Sequence, residues 1–581
     1  MKLAPIFSAI ALSLATTSIS ANTTPTTGAP TNTQTASQSK QQLAPLTDLQ
    51  KQNLELLGRV WGFLKYHHPA VATGKYDWDK ELIERLPSYL ALNSIDARNQ
   101  FLVKWIDELG PVELCKTCKP TSENAVLKPD HRWIYQTELP TSLRSRIQFI
   151  YKNRHQGDQH YIVKSSAEHP KFTNENGYKA LGNPDQNHPL LTLFRFWNMI
   201  EYFSPHKDVT DKEWSRVLGE YIPKVFESTV PLDYQTHIAN LISDLDDGHA
   251  FMGGMVVFHR SKGVNFPRFK TEFLDERLIV TKFYDNDIDT PPVLALGDEI
   301  HAINDVAIHD IVSKQLSITS SSTKHGKMAW IADEILRSDD QQLKITYSRG
   351  GKSDNKIVPL YDMQTSGMFS QPKTQPVGYK IISDNIGYLD PSKIQGDDMP
   401  AIKAAFNETN SIVVDLRNYP RFIVHELGGW LIKEKTPVAK LTTFNIDNPG
   451  EIVNLTMDYI EPRNEHYDNP IAVLVNENSK SLPEYTALAL RATPKATVFG
   501  RTTEGSDGNM SHILLPGPIN TAFSGIGVFY PDGKPTQRIG IIPDIRVGRT
   551  IEGIKAGKDE VLDAAIKFLT DKHKEKIATA N

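Results

Sequence analysis

Cysteine is nearly missing from this chain: two residues in 581. That excludes a disulfide-dense scaffold. A surplus of one charge is missing too. Sixty-four Lys and Arg face 69 Asp and Glu, for a formal net charge of −5. Nothing in that balance suggests a general nucleic-acid binder, which needs a basic excess or patch. Downstream of the N-terminus no apolar run reaches the ~18 residues of a membrane span. Neither a GxxxxGK[ST] loop nor a strand-linked GxGxxG occurs, so the usual phosphate cradles are absent. What remains is an ordinary globular composition, 39% hydrophobic and 23% charged. At roughly 150 residues per domain, the length suggests about four units.

The N-terminus reads as an address. Met1–Lys2 is a short positive start, Leu3 to Leu14 is apolar and small, and Thr16–Ala21 is small and polar. This is the pattern of a secretory signal peptide cut near Ala21, and the run is too short for a membrane anchor. No cysteine follows to carry a lipid. Residues 22–47 begin with a Thr-, Gln-, Ser-, Asn- and Pro-rich tract that cannot bury a core and reads as a disordered linker. The mature chain is then expected in the periplasm or outside the cell. There the Cys115-x-x-Cys118 pair fits a small-loop disulfide. A zinc site would need two more ligands close by.

An internal repeat follows. Trp61, Tyr66, Pro69, Trp78 and Pro87 recur as Trp197, Tyr202, Pro205, Trp214 and Pro223, each pair offset by 136 residues. Each copy reads as a helix, a Pro-marked turn and a second helix, so the pattern implies a duplicated helical hairpin. The aromatics read as core. Between the copies, Ile147–Tyr151 reads as strand-like. From 263 to 362 short strands dominate, with a helix over Lys327–Arg337, suggesting a compact β-rich module. From 375 onward strands and helices alternate as in an α/β domain: Ile386–Leu389, Ser411–Leu416, Ile471–Val475 and Ala496–Phe499 read as strands, with helices between them.

The strongest chemical signal is IAVLVNENSKSLPEYTALAL. A buried strand meets a polar turn and then a helix, with Ser481 at the N-cap and Glu484 three residues on. That spacing is a capping box, so Ser481 also reads as a plain helix cap. The same position suits a nucleophile. Free N–H groups and a partial positive charge at a helix N-terminus can stabilise a developing oxyanion. A serine needs a base, and the candidate is His249 in LDDGHA. A lone histidine also reads as structural, and Asp246–Asp247 read as the end of a helix and its turn. His67–His68 lack a third ligand and project in different directions, so no metal is expected there.

Six segments in order resemble the S41 peptidases, the tail-specific or C-terminal-processing proteases, in their tricorn-core-like branch. They are LDDGHA (245–250), LGDEIHAIND (296–305), SIVVDLRNYP (411–420), NSKSLPEYTALAL (478–490), VFGRTTEGSDG (498–508) and IGIIPDI (539–545). The resemblance implies an α/β fold. Its parts would be a crotonase-like (ClpP-like) α/β core, an inserted PDZ-like β-rich module and an N-terminal helical region with the duplicated hairpin. The implied division is 48–182 for the first helical copy with its mixed segment and 183–262 for the second, ending in the His-bearing segment. The PDZ-like module would span 263–365 and the peptidase core 366–575.

By position, Ser481 matches the family's nucleophile and His249 the base of the tricorn-type branch. The other branch uses a lysine in the turn that GRTTEGSDG resembles. No Lys lies between Arg501 and Asn520, and Ser506 or a neighbour stands there. Gln537 stands where that branch has a Glu, and is the expected orienter of the imidazole. Arg421–Phe422 replace the usual Gly pair, so the oxyanion donors implied are the backbone N–H groups of Arg421 and Leu482. The resemblance implies a serine endopeptidase acting on peptide or protein through an acyl-enzyme. It needs no metal or organic cofactor, no nucleic acid and no stable membrane span, and no motif assigns an oligomeric state. Gln537 and Arg421 also feed a rival expectation, a non-catalytic peptide- or ligand-binding protein of the same fold. A third is hydrolysis of a non-peptide ester or amide.

Overall fold

The structure, a computed structural model, describes residues 45–580 apart from 137–138, 180–186, 285–292, 363–376, 396 and 518. The leader-like residues 1–21 and nearly all of the linker lie outside the described residues.

The helical region is built on reciprocal tryptophan bonds. Trp61 Nε1 donates to the Trp78 carbonyl at 3.1 Å and Trp78 Nε1 to the Trp61 carbonyl at 2.9 Å. Trp197 and Trp214 exchange the same two bonds at 2.9 and 3.2 Å. In each case the two indoles tie one long helix to the start of another, across a short helical turn: Asp48–His67 to Trp78–Leu90, and Asn187–Phe203 to Trp214–Phe226. A buried indole N–H needs an acceptor, and the partner's backbone supplies it. The helices Asp48–His67 and Asn187–Phe203 then pack against each other, with Tyr66 and Tyr202 edge to face at 5.5 Å. A side chain at Gly62 would meet Asn198 at 1.9 Å, so glycine is what allows that approach.

The strand-like segment Ile147–Tyr151 is instead part of the helix Thr141–Lys152. Its buried residues Leu143, Ile147 and Ile150 recur at helical spacing, and that face overrides the local β-branched preference.

The middle module has its own apolar core and a five-strand antiparallel path: Phe269–Leu274, Arg277–Phe283, Glu299–Ile303, Gln342–Arg349 and Lys352–Pro359. The helix Lys324–Glu334 packs on the edge strand Phe269–Leu274.

The α/β core is a six-stranded sheet. Its order is Tyr379–Ile382, Ile386–Leu389, Ser411–Asp415, Ile471–Val475, Ala496–Gly500 and Ile545–Arg546, with all pairs parallel except the first. Alternate residues of its strands feed opposite layers. Ile412, Val414, Ile471, Val473 and Val475 meet the layer that holds Leu427 and Leu488. Val413, Ala472 and Leu474 meet the C-terminal helix through Val561, Ala565 and Leu569. Burial on both faces is why these strands read as unbroken apolar runs. Two long antiparallel strands, Thr436–Phe444 and Ile452–Ile460, carry Thr, Asn and Asp among their apolar residues and gave no clear strand signal. Phe444 and Ile452 join the helical region's core, which welds the two regions together.

Candidate active site

The central strand Ile471–Val475 delivers its chain to the sheet's C-terminal edge, where a tight turn leads into the helix Leu482–Arg491. Ser481 sits on that turn with φ 65° and ψ −120°, a conformation costly for a residue with a side chain. Glu484 and Ser506 hold it there. The Ser481 N–H donates to the Ser506 carbonyl at 2.8 Å and to Glu484 Oε2 at 3.1 Å. The buried Glu484 carboxyl also accepts from the N–H groups of Gly505 (2.8 Å) and Ser506 (2.9 Å) and from the Thr503 hydroxyl. Burial, then Glu504 and Asp507, push its pKa up to about 8.

His249 arrives from the opposite side, after the helix Pro231–Ser243 and a turn in which Asp246 has φ 48°. The imidazole is buried. Its Nδ1 lies 2.8 Å from Ser524 Oγ, and the Ser524 hydroxyl donates to Asp247 Oδ1 at 2.9 Å. Ser524's single proton therefore goes to the carboxylate, and Nδ1 must be the donor in its own bond. That tautomer leaves the Nε2 lone pair free. Nε2 is buried with no hydrogen-bond partner. Burial pushes the imidazole's pKa down to about 4; Asp247 opposes the shift and Lys480 adds to it.

Asp247 does more than end a helix. It accepts from Ser506 Oγ (2.8 Å), Ser524 Oγ (2.9 Å), the Ser524 N–H (2.6 Å) and the His249 N–H (2.9 Å). Burial works against its charge, yet His249 and the Ser524 and His249 N–H groups outweigh burial and hold its pKa below the usual carboxylate range.

The two turns are physically tied. Lys480 Nζ donates to the Gly248 carbonyl at 2.8 Å, so the residue before the serine grips the residue before the histidine. Ser506 bonds both sides, through its carbonyl to Ser481 and its hydroxyl to Asp247. A serine-rich loop of the middle module locks the outside. Ser320 Oγ donates to the Asp247 carbonyl at 3.0 Å, Ser321 Oγ to Glu504 at 2.5 Å, and Ser322 Oγ accepts the Gly248 N–H at 2.9 Å. A Cβ on Gly248 would lie 2.1 Å from Glu504, so only glycine fits there.

Two expectations change. Gln537 is buried, but its amide donates to Ser322 Oγ at 3.3 Å, and it is Ser524, backed by Asp247, that faces His249 Nδ1. The motif position was silent about which way the amide points. The Arg421 N–H donates to the Pro391 carbonyl at 3.0 Å, so it is not a free oxyanion donor. Arg421 itself is exposed, with its guanidinium 3.3 Å from Gln395 Oε1. Sequence reasoning missed Ser524, and it named Asp247 and Ser506 without the hydrogen-bonding roles they have here. Cys115 and Cys118 are joined by a disulfide, remote in sequence from all of these. Among the described residues no group of three or more His, Cys, Asp or Glu is arranged to hold a metal ion, and no helix is long and apolar enough to cross a membrane.

Residues 385–547 match the model of peptidase family S41. A "Probable CtpA-like serine protease" of Staphylococcus haemolyticus (strain JCSC1435) is 27% identical over 218 residues, 36% of this chain and 42% of that protein. The chain thus spans about two fifths of the length of that curated relative. Mature CPAF complexed with lactacystin has a similar fold, with a TM-score of 0.52 at 14% identity over 67% of this chain and 99% of that one. A point mutant of CPAF gives 0.54 at 14% identity, over 67% and 98%.

Proposed function

We propose, from the premise that residues 385–547 belong to peptidase family S41, that the protein is an exported serine endopeptidase with Ser481 as nucleophile and His249 as general base. The observation that carries this reading is the tie between the strained serine turn and the neutral, oriented imidazole, made by Lys480–Gly248 and by Ser506. Nε2 takes the Ser481 proton as Oγ bonds to a peptide carbonyl carbon. The carbonyl's π pair moves onto oxygen beside the Leu482 N–H. The imidazolium then protonates the leaving amine as the C–N bond breaks. Water attacks the acyl-enzyme with His249 again as base. Asp247, working through Ser524, keeps the proton on Nδ1 and lies 3.9 Å from it to balance the transient charge. Gln537 supports the same turn through Ser322.

The finer architecture belongs to this proposal. The sheet and its two helical layers are read as a crotonase-like core. Residues 263–365 are read as a PDZ-like module whose edge strand Phe269–Leu274 and helix Lys324–Glu334 flank a groove of about 420 Å³ that reaches Arg501. An extended peptide could add there as a strand. Residues 48–182 and 183–262 are read as the two copies of a helical hairpin. The leader-like residues 1–21 support export to the periplasm or beyond.

A second reading, a binding protein with the same fold, is favoured by one fact: the buried His249 Nε2 stands without a hydrogen-bond partner. Labelling with a serine-directed fluorophosphonate separates the two. The peptidase labels, and loses labelling by about 10⁴-fold or more in Ser481→Ala and in His249→Ala. Folded wild-type protein that never labels leaves the binding protein.

A further inference from the structure

We propose that Phe251 and His512 form an aromatic wall on the leaving-group side of the cleft and select substrates with a large apolar or aromatic residue directly after the scissile bond, an inference that rests on the serine-peptidase reading above. The chain that follows the base is laid out like an extra strand. His249 meets Ser524 at 2.8 Å. Four residues on, Gly253 exchanges both backbone hydrogen bonds with Asn520, at 2.8 and 3.0 Å, as an antiparallel pair. Residues 249–253 therefore run antiparallel along the strand Asn520–Ser524, and Phe251 falls at the level of Ala522. Ala522 pairs in turn with His512 of the strand Met510–Leu514. The Phe251 and His512 rings meet edge to face, with centroids 6.0 Å apart.

Side chains alternate across a sheet. Ile513 and Phe523 enter the core of the helical region. Ser524, Ala522 and His512 share the other face, where the imidazole lies. Burial changes along that face: His249, Ser524 and Ala522 are buried, whereas Phe251 is 37% exposed and His512 is exposed. An aromatic pair left open beside a buried base offers its faces and edges to another apolar group.

The reaction fixes what that group is. His249 protonates the leaving amine, so the residue that carries this amine lies against the imidazole. On one flank Ser320 and Ser322 of the middle module bond Asp247 and Gly248 and close the space. The other flank is the one along which the chain runs from His249 to Phe251. A strand advances about 3.3 Å per residue, so Phe251 stands about 7 Å beyond the base. A large side chain spans that distance, and Gly or Ala does not.

The test digests a mixed peptide library with the full chain and reads each cut by mass spectrometry. In wild type, Phe, Tyr, Trp, Leu or Met follows the cut bond about 10-fold more often than Asp, Glu or Gly, after correction for abundance, the discrimination an apolar pocket gives. In Phe251→Ala and in His512→Ala the excess shrinks to within about twofold, and Phe251→Asp moves the preference toward Lys and Arg. A merely structural residue would not redirect the preference. The ratios are taken within each digest, so the overall level of activity does not enter them. His512 is exposed, and its variant tests the wall even where a Phe251 variant fails to fold. A wild type without the excess overturns the proposal, and so do alanine variants that keep it. Fluorophosphonate labelling separates the two levels. Wild type that labels and cuts without the excess loses the wall alone; folded wild type that neither labels nor cuts loses the peptidase reading and the wall together.

Discussion

The two turns that form the site are held by different means. The Ser481 turn is organised mostly from nearby: Glu484, three residues on, accepts the serine's own N–H, and the strand and helix on either side follow directly in the chain. The His249 turn is organised from afar. Its imidazole leans on Ser524, 275 residues away, and its flanking backbone is held by Ser320 and Ser322 of another module. A nucleophile in strained backbone needs a rigid local cradle. A base needs the correct tautomer and a clear line to the nucleophile, and distant elements can supply both.

The sharpest way to break this contrast is to strip the base turn of its carboxylate. Asp247→Ala removes the acceptor that orders Ser524, Ser506 and the histidine's own N–H. Fluorophosphonate labelling should slow about 10³-fold, mostly in the limiting rate, as expected when an imidazole loses its oriented tautomer. Labelling within a few-fold of wild type would mean that the long-range network does not set up the base. On the serine side, Glu484→Ala leaves the N–H groups of Gly505 and Ser506 and a threonine hydroxyl without their buried acceptor, while the Ser481 N–H keeps the Ser506 carbonyl. At about 1 kcal/mol for each unmet group the unfolding free energy should drop by about 3 kcal/mol in a urea titration. An unchanged midpoint would show that the cradle is not structural.

The acid limb of activity reads the base turn directly. Folding lowers the His249 pKa to about 4, chiefly by burial. The imidazole stays neutral, and competent as a base, as pH falls through 6.5, and it takes up its proton only near pH 4. The limiting labelling rate plotted against pH should therefore hold through pH 5 and fall near 4. An inflection at 6 to 7 would mean that the ring is solvated in the working enzyme. The smallest effect on chemistry is expected far from both turns. Trp78→Phe and Trp214→Phe each remove one indole bond to a buried carbonyl. Each should cost about 1–2 kcal/mol of stability, seen as a lower denaturation midpoint, while the folded fraction labels at the wild-type rate. A large loss of labelling in Trp214→Phe alone would show that the second helical region, which leads to His249, also tunes the base.

Much of the frame was legible beforehand. The strand Ile471–Val475 matches the reading to the residue, and the 136-residue offset marks four tryptophans that make the same pair of bonds twice. Buried apolar runs and aromatic spacing write themselves into composition. The strands Thr436–Phe444 and Ile452–Ile460 did not, because threonines and asparagines break their alternation. Ile147–Tyr151 misled because β-branched residues sat on a helix face. At the site, Ser481 and His249 stood out by motif. Asp247 looked like punctuation, the Gln537 amide bonds Ser322, and Arg421 offered an N–H that Pro391 already holds.

By itself the sequence determined the serine's place at a strand-to-helix turn and the glutamate that reaches back to it. Those interactions span three residues, and backbone geometry at that range follows from residue type and spacing. Tertiary structure alone decided that Ser506 and Ser524 meet the aspartate beside the histidine. Such meetings depend on how strands stack and which loops overlie them. The hydrogen bonds that choose a tautomer or occupy an oxyanion donor are directional to within an ångström, far finer than any pattern of hydrophobicity records.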